Sequence, residues 1–138
     1  MPDTKWRELS NYRIEAAKET LKTAQLLYEN ARYKDCVNRS YYTIFHSMRA
    51  VLALEGVDYK KHSGVISYFR EKYVKTGIFS KELSNIVGQA SLIRNQSDYE
   101  DFFLVSAEDA KEQLLGAADF YAAVCAYLQT GEKQLYRQ

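Results

Sequence analysis

Apolar residues return every three or four positions along almost the whole chain. No stretch sustains the alternation of period two that a half-buried strand needs. Ile14, Ala17, Leu21, Ala24, Tyr28 and Ala31 share one face of an amphipathic helix predicted over about residues 5–31. Val37, Tyr41, Ile44, Met48 and Leu52 predict a second helix from about Tyr33 to Glu55, stopped by Gly56 in a left-handed cap. Val57–His62 reads as a polar loop. A short third helix, capped by Ser63 and closed at Gly77, carries Val65, Ile66, Phe69 and Tyr73. Ser80 is placed to cap a fourth, with Leu83, Ile86, Val87 and Ala90 facing inward. The fifth opens at Ser106-Ala-Glu-Asp109, a start like a capping box with acids at the positive end of the helix dipole. It continues through Ala110, Leu114, Ala117, Tyr121, Cys125 and Leu128 and is expected to stop at Gly131. Four long helices and one short one, joined by short connections, predict an all-α antiparallel helical bundle.

At 138 residues this predicts one domain over 1–138 with one core. Six glycines and one proline are too few for the turns of an all-β fold. No apolar run approaches the about 18 residues of a membrane span, and Met1–Trp6 is polar, unlike a leader. The expectation is a cytoplasmic protein with no membrane segment. Cys36 and Cys125 lie far apart in sequence and read as reduced core thiols. With two histidines, no paired cysteines and no Glu-x-x-His, metal-ligand spacing is absent, and no glycine cluster forms a phosphate-cradling loop. No metal or cofactor is therefore expected. Any enzyme here would rely on Arg, His, Tyr and Asp. Twelve tyrosines stand out: a buried hydroxyl must find a partner, whereas an exposed ring can stack on a base.

Charge is informative only when divided. Nineteen Lys and Arg against eighteen Asp and Glu leave +1, which excludes a non-specific coat on nucleic acid. Residues 32–94, however, hold eleven basic and five acidic groups, and residues 95–138 hold three and eight. The basic middle includes Arg39, Arg49, Lys60, Lys61, Arg70, Lys72, Lys75 and Arg94, so a focused phosphate site is allowed.

On a helical wheel the second helix has two further stripes besides its apolar face. Ser40, Thr43, Ser47 and Ala50 are all small and mark either a close crossing with another helix of the chain or a subunit contact. Arg39, Tyr42, His46 and Arg49 place two cations, a phenol and an imidazole on one face, either a solvated surface or a phosphate site with a proton carrier. On the fourth helix, Arg94 falls within about 20° of the core stripe. A guanidinium aimed inward requires a partner. Asp98 and, if the helix continues, Asp101 lie on the same face; otherwise Arg94 borders a cleft or a symmetry axis.

Tyr41-Tyr42-Thr-Ile-Phe-His46, Arg49-Ala-Val-Leu52 and Lys61-His-Ser-Gly64 resemble the HEPN domain family (higher eukaryotes and prokaryotes nucleotide-binding). So do the segment from Phe69 to Gly77, the run Arg94–Tyr99 and Ala117-Ala-Asp-Phe120. The resemblance spans about residues 10–130 and is strongest to the small stand-alone prokaryotic members. It implies a helical bundle that pairs as a homodimer, with the Arg94 motif at a cleft on the dimer axis. It also implies a partner nucleotidyltransferase, in the manner of a toxin–antitoxin pair. Many members are metal-independent endoribonucleases whose signature is an Arg followed, after four to six residues, by a His.

Here the Arg is kept and the His is not. Arg94 and Asn95 match the start of the signature, but Asp98, Tyr99, Glu100 and Asp101 fill the window where the His belongs. RNA cleavage through the 2′-OH needs a proton carrier with a pKa near neutral, which neither Asp nor Tyr ordinarily supplies. The position matching the family's modified Tyr is Asp101, with Tyr99 close by. The expected function is a homodimeric module whose Arg-centred cleft binds RNA, a nucleotide or the partner nucleotidyltransferase. Arg94, Asn95, Asp98, Tyr99, Arg39, Tyr42, His46 and Arg49 are its candidate ligand-binding residues. The alternatives are a metal-free ribonuclease using Arg94 with His46, Asp98 or Tyr99, and a purely structural protein.

Overall fold

The computed structural model describes residues 4–136, with side chains through Thr130. Part of the polar start read from Met1–Trp6 lies outside the described residues. Five α-helices follow one another: α1 (Thr4–Glu29), α2 (Tyr33–Ala53), α3 (His62–Phe69), α4 (Lys81–Tyr99) and α5 (Ala107–Tyr136). The described residues contain no strand. None of their helices is long and apolar enough to cross a membrane.

α1 and α2 form an antiparallel pair, and the small-residue stripe of α2 is what allows it. Ser40, Thr43, Ser47 and Ala50 are fully buried. Thr43 Oγ1 lies 3.0 Å from Thr20 Oγ1, and the Ser10 hydroxyl donates to the Ala50 carbonyl at 2.7 Å. Ala17 and Ala24 supply equally small, fully buried positions on α1. The stripe is therefore a close intrachain crossing, and the subunit-contact alternative does not apply to it. The opposite, apolar face of α2 packs Tyr41, Ile44, Met48 and Leu52 against Val65 and Phe69 of α3, Val87 of α4 and Phe120 of α5. Aromatic rings fill the far end: Phe69 meets Phe79 at 5.2 Å and Phe120 at 5.5 Å, and Phe79 meets Tyr127 at 5.2 Å.

The helix ends correct the sequence reading in several places. α2 ends at Ala53, two residues short of Glu55, because Val57 N–H turns back to the Leu52 carbonyl around Gly56 at φ +69°. That is the left-handed cap predicted at Gly56. α1 ends by the same device at Ala31, φ +59°, so it stops at Glu29. α3 starts one residue before Ser63, making His62 its first residue and leaving Ser63 inside the helix. It then widens into a π-helical turn, Arg70–Val74, with Lys75 N–H reaching back to the Arg70 carbonyl. Ser80 does precede α4, but its side chain makes no capping bond. The Ser106 hydroxyl accepts the Asp109 N–H at 3.0 Å, as the capping pattern predicted. α5 runs through Gly131 instead of stopping there. A lone glycine lowers helix propensity by about 1 kcal/mol, and no proline follows to enforce a break.

Candidate nucleotide-binding cleft

The site is assembled where α2, α3 and α4 meet. α4 buries Leu83, Val87, Ala90 and Ser97, and Arg94 lies on that stripe, mostly shielded from solvent. Its guanidinium sits 4.9 Å over the Tyr41 ring and 5.3 Å over the Tyr42 ring. Arg94 Nη2 donates to the Tyr42 hydroxyl at 3.2 Å. The charge is balanced by Asp98, one turn further on, whose Oδ2 lies 3.2 Å from Arg94 Nε. That Nε–H is buried and is not directed at the carboxylate, so the contact is an ion pair without a hydrogen bond. α4 ends at Tyr99, so Asp101 leaves the face it would share on a continued helix. Asn95 and Tyr99 are both exposed on α4, away from the Arg94 contacts.

Tyr42 connects Arg94 to the polar stripe of α2. Arg39 lies 5.3 Å from the same ring and is steadied by the Asn38 amide oxygen at 2.7 and 3.1 Å. His46 packs 6.1 Å from Tyr42 and 6.3 Å from Phe45. Burial lowers the His46 pKa below its ordinary value, and the charges of Arg49, Arg39 and Arg13 lower it further. Arg49 donates to Asp58 Oδ2 at 2.9 Å, and the same oxygen accepts Arg13 at 3.0 Å. Burial alone would raise the Asp58 pKa. The Arg49 hydrogen bond, the Tyr59 amide and the two arginine charges outweigh it and bring the group below the usual carboxylate value. The stripe is therefore a half-buried, paired surface, distinct from an open solvated face.

The sequence reading missed His62, placed there at the end of a polar loop. Its ring stacks on Phe45 at 4.0 Å and meets the edge of Tyr42 at 5.8 Å. Its Nδ1 lies 2.8 Å from the Tyr41 hydroxyl. Burial lowers the His62 pKa, followed by the charges of Arg94 and Arg49, so the imidazole is neutral at neutral pH. Tyr41, read as part of the apolar face, and Phe45, named only within the Tyr41–His46 motif, thus serve as platforms: Tyr41 for Arg94, Phe45 for His62. Arg13, Asp58 and Tyr59 were missed as well: Arg13 and Asp58 meet Arg49, and the Tyr59 amide meets Asp58, only through chain paths that no periodicity reveals. The available signal was the Lys61-His-Ser-Gly64 motif.

The tyrosines answer the question their number raised. Tyr41 and Tyr42 use their hydroxyls within the cluster. Buried Tyr73 and half-buried Tyr68 both donate to Glu55, two residues beyond the end of α2. Cys36 is buried, and burial raises its thiol pKa, in keeping with an inert core cysteine. Cys125 is only half-buried.

Comparison with known proteins agrees with the motif order. The model of the HEPN domain family matches residues 10–129. A UPF0332 protein of Thermotoga maritima is 35% identical over 108 residues, covering 78% of this chain and 82% of its own. Two proteins of Methanocaldococcus jannaschii, both named only provisionally as toxins, are also similar. One is 40% identical over 62% of this chain and 64% of its own length, the other 32% identical over 76% and 71%. The all-α bundle, the ordered motifs and a family match over most of its length place this chain in the HEPN domain family.

Proposed function

We propose that the chain is the HEPN component of a toxin–antitoxin-type pair, folded as one unit and working as a homodimer beside a nucleotidyltransferase. Its Arg94-centred cleft binds RNA or a nucleotide. The observation that carries this reading is the convergence of two guanidinium groups on one aromatic cluster, Arg94 within 5.3 Å of the Tyr41 and Tyr42 rings and Arg39 within 5.3 Å of Tyr42. Cations held against aromatic rings suit a ligand that is both anionic and aromatic. The names given to the two Methanocaldococcus jannaschii relatives support the toxin–antitoxin assignment. Binding is favoured over cleavage because Asp98, paired with Arg94, stands in the window where the family signature has its His. Tyr99, Phe102 and Leu104, which are 79%, 99% and 88% exposed, follow the Arg94 motif directly and support a second copy covering that edge.

The test is RNA affinity measured in EDTA at several salt concentrations, on the wild type and Arg94→Ala. Affinity should fall with the substitution and with rising salt. Indifference to both overturns the reading. In the same buffer total RNA should stay intact. Cleavage that disappears in both Arg94→Ala and His46→Ala would establish a metal-free ribonuclease instead. Light scattering should give the mass of a dimer and, for Phe102→Asp, of a monomer.

A further inference from the structure

A cavity of about 410 Å³ opens beside His62, outside the contacts that hold Arg94. Phe45, Arg49, Asp58, Tyr59, Lys60 and His62 line it, drawn from α2, the following loop and the first residue of α3. Its charge balance is positive. The Asp58 carboxylate is shared between Arg13 and Arg49, so that cluster sums to one positive charge, and exposed Lys60 adds another. Its lining is partly aromatic: the Phe45–His62 stack and the Tyr59 ring, which is 43% exposed and packs 5.8 Å from Tyr68. The Tyr41 hydroxyl occupies His62 Nδ1, so Nε2 is the ring nitrogen left to meet a ligand.

We propose that this cavity is a second subsite of the cleft, taking one nucleoside monophosphate unit. Lys60 and Arg49 hold the phosphate, the Tyr59 ring faces the base, and His62 Nε2 bonds a ligand oxygen. The volume lies within the range of small-ligand sites and exceeds what a bare inorganic anion would fill. An apolar ligand would leave Lys60 and the surplus positive charge of the Arg13–Arg49–Asp58 cluster uncompensated. A unit joining a phosphate to a flat ring uses both kinds of wall. This inference rests on the reading of the Arg94 cleft as an RNA or nucleotide site and extends it by one unit. The unit is either a free nucleotide or one link of a strand.

Binding should also be linked to pH. His62 is faced by Arg94 from α4 and by Tyr41, His46 and Arg49 from α2, and it lines the cavity together with Asp58 and Lys60. A bound phosphate adds negative charge beside an imidazole that the arginines hold neutral, and so favours its protonated form. Affinity for a phosphodiester, whose charge is constant over this range, therefore rises as pH falls through the His62 titration and levels off below it.

The experiment uses the full chain in EDTA with four probes: 5′-AMP, adenosine, inorganic phosphate and a short oligoribonucleotide. His62 side-chain resonances are followed through each titration. 5′-AMP or the oligonucleotide should shift His62 Nε2, and the oligonucleotide, whose phosphodiesters keep their charge, should bind more tightly at pH 6 than at pH 8. Adenosine and phosphate alone should each bind more weakly than the joined unit. Lys60→Ala, an exposed change that leaves the core intact, and His62→Gln should each lower affinity by about tenfold, as loss of a charge-assisted contact does. A response confined to 5′-AMP identifies a free nucleotide, and one confined to the oligonucleotide identifies a unit of a strand. If neither substitution changes either affinity while Arg94→Ala still weakens the oligonucleotide, the second subsite is overturned and the Arg94 reading survives. If Arg94→Ala is also silent, both are overturned.

Discussion

The Nδ1 of His62 and the hydroxyl of Tyr41 stand 2.8 Å apart, although 21 positions separate them in sequence. The contact ties the start of α3 to the platform on which Arg94 rests. Burial raises the Tyr41 pKa, so the phenol keeps its proton and remains able to donate. Tyr41→Phe keeps the ring beneath Arg94 and removes only the hydroxyl. It should cost about 1 kcal/mol in urea denaturation, as for one hydrogen bond to a half-buried partner. It should also move the His62 ring-nitrogen shifts in NMR while leaving those of His46 nearly in place. Unchanged stability together with unchanged His62 shifts would refute the link.

Both histidines predict a pH dependence of defined sign. Their folded-state pKa values lie below the ordinary 6.5, so each is neutral in the folded chain where it would already be protonated in the unfolded one. The unfolded state then binds more protons, and stability rises with pH across the window between the lowered values and 6.5. Below that window the loss is complete. Between pH 7.5 and 5 the denaturation midpoint should fall, and the double variant His46→Gln/His62→Gln should flatten the slope. A slope of the same size in that variant would assign the effect to other groups.

Asp58 makes a third case. One of its oxygens accepts both Arg13 at 3.0 Å and Arg49 at 2.9 Å. Arg13 is buried, and Arg49 beside it is a like charge. Asp58→Asn removes the charge that separates them. Asp58 itself is about half exposed, so water screens part of the effect, and a loss of about 1–2 kcal/mol is expected. Adding Arg13→Met should recover part of it, because the buried cation is gone. A strictly additive double variant would show that the pair does not interact.

The residues that were legible in the sequence are those governed by a single helix. Arg94 was placed on the α4 core stripe by register alone, and Asp98, one turn later, is its ion partner. The small stripe of α2 marked a close approach, and that its partner is α1 of the same chain, not a second subunit, emerged only in three dimensions. His62 was not legible as a site residue. Its role depends on the loop from Leu54 to Lys61, which returns the chain over Phe45 and Tyr41, and no periodicity encodes that path. Asp58 and Tyr59, within the same loop, escaped for the same reason. Ala31 shows a related limit. It counted as the last apolar residue of α1, but it sits at φ +59° where glycine is the usual occupant.

That observation leads to a pair of substitutions with opposite signs. Gly56 and Ala31 close α2 and α1 in equivalent left-handed positions, at φ +69° and +59°. At Gly56 an added methyl would stand 2.4 Å from the Trp6 ring. Gly56→Ala therefore combines left-handed strain of about 1–2 kcal/mol with a clash against a bulky side chain, and should cost at least about 2 kcal/mol. Ala31→Gly removes the same strain and concedes about 0.4–1 kcal/mol of unfolded-chain entropy, so a net gain of up to about 1.6 kcal/mol is expected. Thermal unfolding of the two variants beside the wild type decides the matter, with Gly56→Ala melting lower and Ala31→Gly higher. A lower melting temperature for Ala31→Gly would mean that the Ala31 methyl contributes packing that outweighs its backbone strain.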